Sequence, residues 1–232
     1  MKVTIKREYE FIEYDVDIQD ATLLELLEKI KTEVDNTLAY SSGCRSSVCG
    51  SCAVRVNEKE VLACSYKVQD GDKIEPLKNI PLLRDLVVDT QKALDTNKRT
   101  KTWLASYNSE AKITPEDEKI NEVQSDCILC ASCYSACPVF AVNEDFLGPF
   151  AHTGVWKYVS DKREAEPKSK IDAVQTNGVW DCILCNECTL VCPQGISSKS
   201  DIEKLRAKSS QYGYMDPNFA SFGGGFDGGL SF

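Results

Sequence analysis

The sequence predicts an α+β protein in two parts: a small mixed sheet-and-helix domain over residues 1–95 and an all-helical domain over 96–208, with a glycine-rich tail over 209–232. Three observations carry this. Apolar and polar residues alternate through the first third of the chain, the period of half-buried strands. Beyond Asp89 the alternation gives way to charged, helix-compatible stretches. Two near-identical cysteine loops punctuate those stretches.

The elements follow in order. Val3 and Ile5 form a first strand, and Ile12, Tyr14, Val16 and Ile18 recur at every second residue in the next. Thr22 with Glu25 is a capping box, followed by Leu23, Leu26, Leu27 and Ile30 on one helical face. After a cysteine loop, Ala53–Val56 and Val61–Ala63 read as strands joined by a polar turn over Asn57–Glu60. Asp70-Gly71-Asp72 marks a turn before a strand at Lys73, Ile74 and Glu75. In the second part each helix can bury only one stripe, so whatever the cysteines hold serves as core alongside the side chains. From Ser209 the composition drifts to Tyr, Asn, Pro and Gly, ending in a run with spaced Phe222, Phe226 and Phe232. Such a tail packs no core of its own and is either disordered or docked on a partner.

All twelve cysteines fall into these motifs. Cys44, Cys49, Cys52 and Cys64 read C-x4-C-x2-C plus a later fourth ligand, the plant-type spacing for a [2Fe-2S] centre. Cys127, Cys130, Cys133 and Cys137-Pro138, then Cys182, Cys185, Cys188 and Cys192-Pro193, both read C-x2-C-x2-C-x3-C-P. In that pattern the fourth cysteine ligates the other repeat's cluster. Cys127, Cys130, Cys133 and Cys192 are therefore assigned to one [4Fe-4S] centre, and Cys182, Cys185, Cys188 and Cys137 to a second. Soft thiolates suit such clusters, and short loops aim backbone N–H groups at the sulfurs. Pro138 and Pro193 turn the chain away without offering a competing donor. Ile128, Leu129, Ile183 and Leu184 supply an apolar lining, and burial is one lever on potential. Zinc fits triplets with a distant Cys-Pro poorly. A disulfide framework fits no better, and the opening Met1-Lys2-Val3-Thr4-Ile5-Lys6 has no apolar leader core that would point to an oxidising compartment.

A formal charge of −9 argues against a nucleic-acid or anionic-lipid surface. No apolar run approaches the roughly 20 residues needed to span a bilayer, so membrane contact is expected only through a partner. Arg45, between two ligands of the first motif, either favours a reduced centre or pairs with an acid. His152, the only histidine, is expected to be structural, as are Trp103, Trp156 and Trp180, while Asp126 and Asp181 are expected to cap turns.

The run Cys44-Arg45-Ser46-Ser47-Val48-Cys49-Gly50-Ser51-Cys52-Ala53, with Leu62-Ala63-Cys64, Asp126-Cys127-Ile128-Leu129-Cys130 and Phe146-Leu147-Gly148-Pro149, resembles the iron-sulfur subunit of succinate dehydrogenase and fumarate reductase. The resemblance spans about residues 10–200. It implies a β-grasp ferredoxin domain followed by a bacterial-ferredoxin-like domain with two clusters. It also implies a flavoprotein partner with covalent FAD that interconverts succinate and fumarate, and a membrane-associated partner that handles quinone. On that reading this chain carries electrons and has no catalytic residue of its own, and Gly50, Ser51 and nearby N–H groups tune the first centre.

Two departures from the family pattern stand out. Most members lack a cysteine at the position of Cys185 and carry a [3Fe-4S] centre there; here the fourth ligand implies [4Fe-4S], with [3Fe-4S] the outcome if Cys185 does not ligate. Val142 and Ile183 stand where quinone-reducing members carry tryptophan and histidine. Both departures resemble the subgroup with a cysteine-rich third subunit, the methylmenaquinol:fumarate reductase type, some of which work on the outer membrane face after co-export with a signal-bearing partner. The default expectation is peripheral attachment at the cytoplasmic face. The competing expectations are a subunit for another flavoprotein, heterodisulfide reductase-like or 2-hydroxyacid-oxidising, and a protein whose clusters are only structural.

Overall fold

The structure, a computed structural model, describes residues 1–217. The phenylalanine-spaced run 222–232 lies outside the described residues. β1 (Lys2–Arg7) and β2 (Glu10–Asp15) form an antiparallel hairpin with Val3 opposite Tyr14 and Ile5 opposite Ile12. That register buries Val3, Ile5 and Tyr14, and a slip of one residue would turn them all outward. A second hairpin joins β3 (Ala53–Val56) to β4 (Lys59–Leu62). β5 (Lys73–Glu75) lies between the hairpins, parallel to β1 and antiparallel to β3, giving the order β2-β1-β5-β3-β4. α1 (Leu23–Lys29) begins at the expected capping box and continues into one wide turn, Ile30–Val34. Leu23, Leu26, Leu27 and Ile30 are buried with the sheet residues in one core, each fully buried aliphatic side chain contributing about 1.5–3 kcal/mol.

Two local expectations are corrected. The turn between β3 and β4 is only Asn57-Glu58, both at positive φ (47° and 69°), and Lys59 and Glu60 belong to the strand. Glu60 is polar in sequence but buried, because its carboxylate faces Arg55 at 3.3 Å and accepts from Ser135 Oγ at 2.7 Å. A small ribbon of β6 (Leu82–Arg84) and β7 (Val87–Val88) was not foreseen. Its turn residue Asp85 is buried, where it meets Arg7 Nε at 2.8 Å and accepts the Ala39 N–H.

Beyond the ribbon the chain is helical: α2 (Gln91–Arg99), α3 (Pro115–Lys119), α4 (Glu122–Ser125), α5 (Ser132–Ser135), α6 (Pro138–Val142), α7 (Pro149–Val159), α8 (Pro167–Ala173), α9 (Glu187–Leu190) and α10 (Ser198–Gln211). α7 is the hub, with α4, α5, α8 and α10 packed on it. The segment expected to open the tail, Ser209–Gln211, instead completes α10. Ser209 is buried and accepts from Gln175 Nε2, and Tyr214 donates to Asp172 at 2.7 Å, so polar side chains tie the chain down where composition alone read as tail. α2 runs across position 95, and its Thr96 hydroxyl lies 3.0 Å from Tyr134 of α5.

The halves are fastened at α5. Ser135 donates to Glu60 and accepts the Lys78 N–H, and Asn79 Nδ2 donates to the Ser135 carbonyl at 2.8 Å. This fixes the first cysteine loop against the second.

Candidate metal centres

The β3–β4 hairpin makes the first site. Cys52 precedes β3 and Cys64 follows β4, and the Ala63 N–H bonds the Cys52 carbonyl, so the two thiols meet at the open end of the hairpin. Cys44 and Cys49 come from the loop above, which positive φ at Arg45 (59°), Ser47 (61°) and Gly50 (71°) coils tightly. The coil aims amides at sulfur. Cys44 Sγ accepts from the N–H groups of Ser46, Val48 and Cys49 at 3.4, 3.3 and 3.2 Å. Cys49 Sγ accepts from Cys44 N–H, and Cys64 Sγ from Ser47 N–H, both at 3.3 Å. The Ser46 bonds lead in bringing the Cys44 thiol down to about 6, while burial pushes Cys52 up to about 11. N–H groups converging on sulfur suit anionic ligands, the donor set that an iron-sulfur cluster requires.

The two later loops are structural copies. Leu129 and Ala131 in the first, Leu184 and Asn186 in the second, all take positive φ, and each loop runs into a four-residue helix, α5 or α9. The left-handed pairs curl each loop round a space. Cys127, Cys130, Cys133 and Cys192 line one such space together with Ile128, Leu129 and Ile196. Cys182, Cys185, Cys188 and Cys137 line the other with Ile183, Leu184 and Phe146. The fourth member of each set comes from the opposite repeat. Among the described residues no three His, Cys, Asp or Glu side chains close on a point as a single ion demands. The cysteines ring a space instead, which fits a multi-iron cluster. Burial raises Cys127 to about 11 and Cys188 to about 12, so these thiols are protonated near neutrality without metal, and binding a cluster would require them to give up those protons.

The sites are adjacent. Gly50 sits against the second loop so closely that a Cβ on it would lie 2.7 Å from Cys130 Cβ and 2.9 Å from the Ile128 carbonyl oxygen. Gln194, just past Cys192, donates to the Ser47 carbonyl at 3.1 Å. α5, which carries Cys133, packs on α9, which carries Cys188. Residues 2–95 match the family described as 2Fe-2S iron-sulfur cluster binding domain, and 123–196 that described as 4Fe-4S dicluster domain. The 8-methylmenaquinol:fumarate reductase iron-sulfur subunit of Wolinella succinogenes is 36% identical over 212 residues, 85% of this chain and 66% of that protein. The fumarate reductase iron-sulfur subunit of Mycobacterium tuberculosis is 32% identical over 214 residues, 87% of both chains.

The chain belongs to the iron-sulfur subunit family of fumarate reductase and succinate dehydrogenase. A chain of the Mycobacterium smegmatis Sdh1 complex in the apo form shares the fold, with a TM-score of 0.79 at 21% identity, covering 93% of this chain and 98% of that one. The architecture is the α+β arrangement expected: a sheet-based ferredoxin domain joined to a helical dicluster domain.

Within this iron-sulfur subunit the remaining candidates sort by their contacts. Arg45 is exposed and forms a fork on Glu28 at 2.9 and 3.0 Å, so its charge is paired. His152 is wholly buried and its Nδ1–H donates to the Gly148 carbonyl at 2.6 Å; burial takes it down to about 4, so it stays neutral. Trp180 donates to Gln175, and Trp156 lies under Lys204, whereas Trp103 is half-exposed. Asp126 and Asp181 enter their turns through backbone N–H bonds to Val123 and Gly178. Of the residues expected to tune the first centre, Ser51 places its hydroxyl 3.1 Å from Cys49 Sγ, while Gly50 acts by lacking a side chain.

Sequence reasoning missed Arg206, which donates to the carbonyls of Val179, Trp180 and Cys182 and stacks on Trp180, locking the last loop to α10. Nothing in the spacing of α10 marks it. Gly50→Val is expected to cost on the order of 1–3 kcal/mol from the left-handed backbone alone. It also pushes the first loop off Cys130, so denaturant midpoint and electron passage between the first two sites fall together.

Proposed function

We propose that this subunit holds a [2Fe-2S] cluster on Cys44, Cys49, Cys52 and Cys64, a [4Fe-4S] cluster on Cys127, Cys130, Cys133 and Cys192, and a second [4Fe-4S] cluster on Cys182, Cys185, Cys188 and Cys137. It relays electrons between an FAD flavoprotein that interconverts succinate and fumarate and a quinone-side, membrane-associated partner. The observation that carries this reading is the serial arrangement of the three cysteine sites, the first meeting the second where Gly50 lies against Cys130, and the second meeting the third where α5, carrying Cys133, packs on α9, carrying Cys188. Such clusters, when bound, take up and release single electrons without bond chemistry. The chain's part is to hold the sites at fixed separation, and the Glu60–Ser135 and Gln194–Ser47 contacts do so.

Cys185 lines the last site beside its three companions, which favours a fourth ligand and the subgroup with a cysteine-rich quinone-side subunit. Val142, Ile183 and Leu190, on the elements that carry the last site, are all largely exposed and offer that partner an apolar face. Among the described residues no helix is long and apolar enough to cross a membrane. The proposed attachment is through the partner, at the cytoplasmic face by default or at the outer face if a signal-bearing flavoprotein carries the subunit across.

Mössbauer and EPR spectra of the anaerobically purified complex test the ligation. One [2Fe-2S] and two [4Fe-4S] centres are expected; a zinc-bound or metal-free dicluster half defeats it. Cys185→Ala is expected to convert the last centre alone to [3Fe-4S], visible by EPR in the oxidised state.

A further inference from the structure

Thr153 on α7 and Ser198 at the start of α10 both line the space ringed by Cys127, Cys130, Cys133 and Cys192. Behind them lies Asp201, wholly buried. Thr153 Oγ1 is 3.0 Å from Ser198 Oγ and 3.1 Å from Asp201 Oδ2. A threonine hydroxyl has one proton; given to the carboxylate, it leaves Ser198 to donate to Thr153. A chain of hydroxyls thus runs from the pocket wall to the carboxylate, with its protons pointing toward Asp201. On the far side Gln124 Nε2 donates to Asp201 Oδ1 at 2.8 Å, and Lys204 Nζ stands 3.6 Å from the same oxygen. All three of these neighbours offer protons to the carboxylate, the donor set of an ionised group. Burial holds the carboxyl above its ordinary range, and Gln124, Lys204 and Thr153 offset that only in part.

An acidic residue in the first turn of a helix commonly does no more than complement the helix dipole. That role needs neither burial nor a hydroxyl chain to a cysteine-lined space. A carboxylate behind one layer of hydroxyls opposes the arrival of an electron, because in a poorly screened interior like charges repel over several ångströms. Lys204 offsets this only in part, since its side chain is 44% exposed and screened by water.

We propose that Asp201, acting through Thr153 and Ser198, is a positioning residue that lowers the potential of the centre held by Cys127, Cys130, Cys133 and Cys192. This rests on the ligation put forward above. One electron enters and leaves, and no proton or bond is moved. That centre is the middle one of the proposed series.

The test is an EPR-monitored redox titration of the assembled complex with Asp201→Asn, which keeps shape and removes charge. The midpoint of the middle centre is expected to rise while the other two stay put. A middle centre that is present and unmoved, or moved downward, overturns the proposal. Should the Asn variant fail to assemble its clusters, Lys204→Met reads the same charge from the other side. It unscreens the carboxylate and is expected to lower the same midpoint, and no shift there overturns the proposal too. A middle-centre signal missing from the unsubstituted subunit defeats the ligation instead, and this proposal with it.

Discussion

Cys192→Ala is expected to abolish the centre built on Cys127, Cys130 and Cys133, in the other repeat, and to leave the centre nearest in sequence assembled. Cys192 follows Cys188 by a single turn of chain, yet its side chain faces the space lined by the first loop. Cys137 does the converse, standing with Cys182, Cys185 and Cys188. On the proposed ligation each cluster staples the repeats, and losing one ligand removes both a redox stop and a cross-link. Electrons entering at the first site then no longer reach the last. The helical half, whose helices pack mainly on α7, loses that cross-link and melts at lower temperature. EPR of the reduced variant checks the first effect and circular dichroism the second. A Cys192→Ala variant that instead loses the Cys182 loop's centre would show that each repeat ligates its own cluster.

Lys170→Met is expected to destabilise the subunit by about 3–5 kcal/mol, the cost of stranding a buried partner charge. Lys170 and Glu164 are both wholly buried in their side chains and stand 3.1 Å apart. The ammonium also donates to the carbonyls of Lys101 and Trp103 at 2.7 and 2.6 Å, and the carboxylate accepts from the N–H groups of Ala105, Ser106 and Glu166. Together they clamp the irregular segment 101–106, which follows α2, onto α8. Burial pushes the Glu164 carboxyl up, but the Ala105 and Glu166 N–H groups and Lys170 outweigh it and hold it below its usual range. A carboxyl depressed in the folded state binds its proton more readily when unfolded. Its contribution is therefore present at neutral pH and lost as pH falls below the ordinary glutamate range. Urea titrations of Lys170→Met and of Lys170→Met with Glu164→Gln check this, and the double variant should recover part of the loss because no charge is left stranded.

The sheet half was legible because its signals are local. Alternation at Val3, Ile5, Ile12 and Tyr14 set the first hairpin's faces, and Thr22 with Glu25 placed the start of α1 within one residue. Glu60 defeated the same logic, since its partners Arg55 and Ser135 lie on another strand and in the other half of the chain. In the helical half the cysteine spacing was more informative than periodicity. α5 and α9 are four residues long, too short to show a face, and their position follows from the left-handed residues of each loop. Asp201 and Arg206 lay beyond sequence reasoning for another reason. Each sits on a polar, unremarkable helix and takes its meaning from a loop far away in sequence, the Cys127 loop for one and the Cys182 loop for the other.

The most direct test of the central claim is anaerobic. The subunit is purified with its flavoprotein, its clusters are reduced, and fumarate is added while each centre is followed by EPR. Reoxidation of all three centres is predicted. Clusters that stay reduced with fumarate yet drain to another oxidant would contradict the succinate/fumarate assignment.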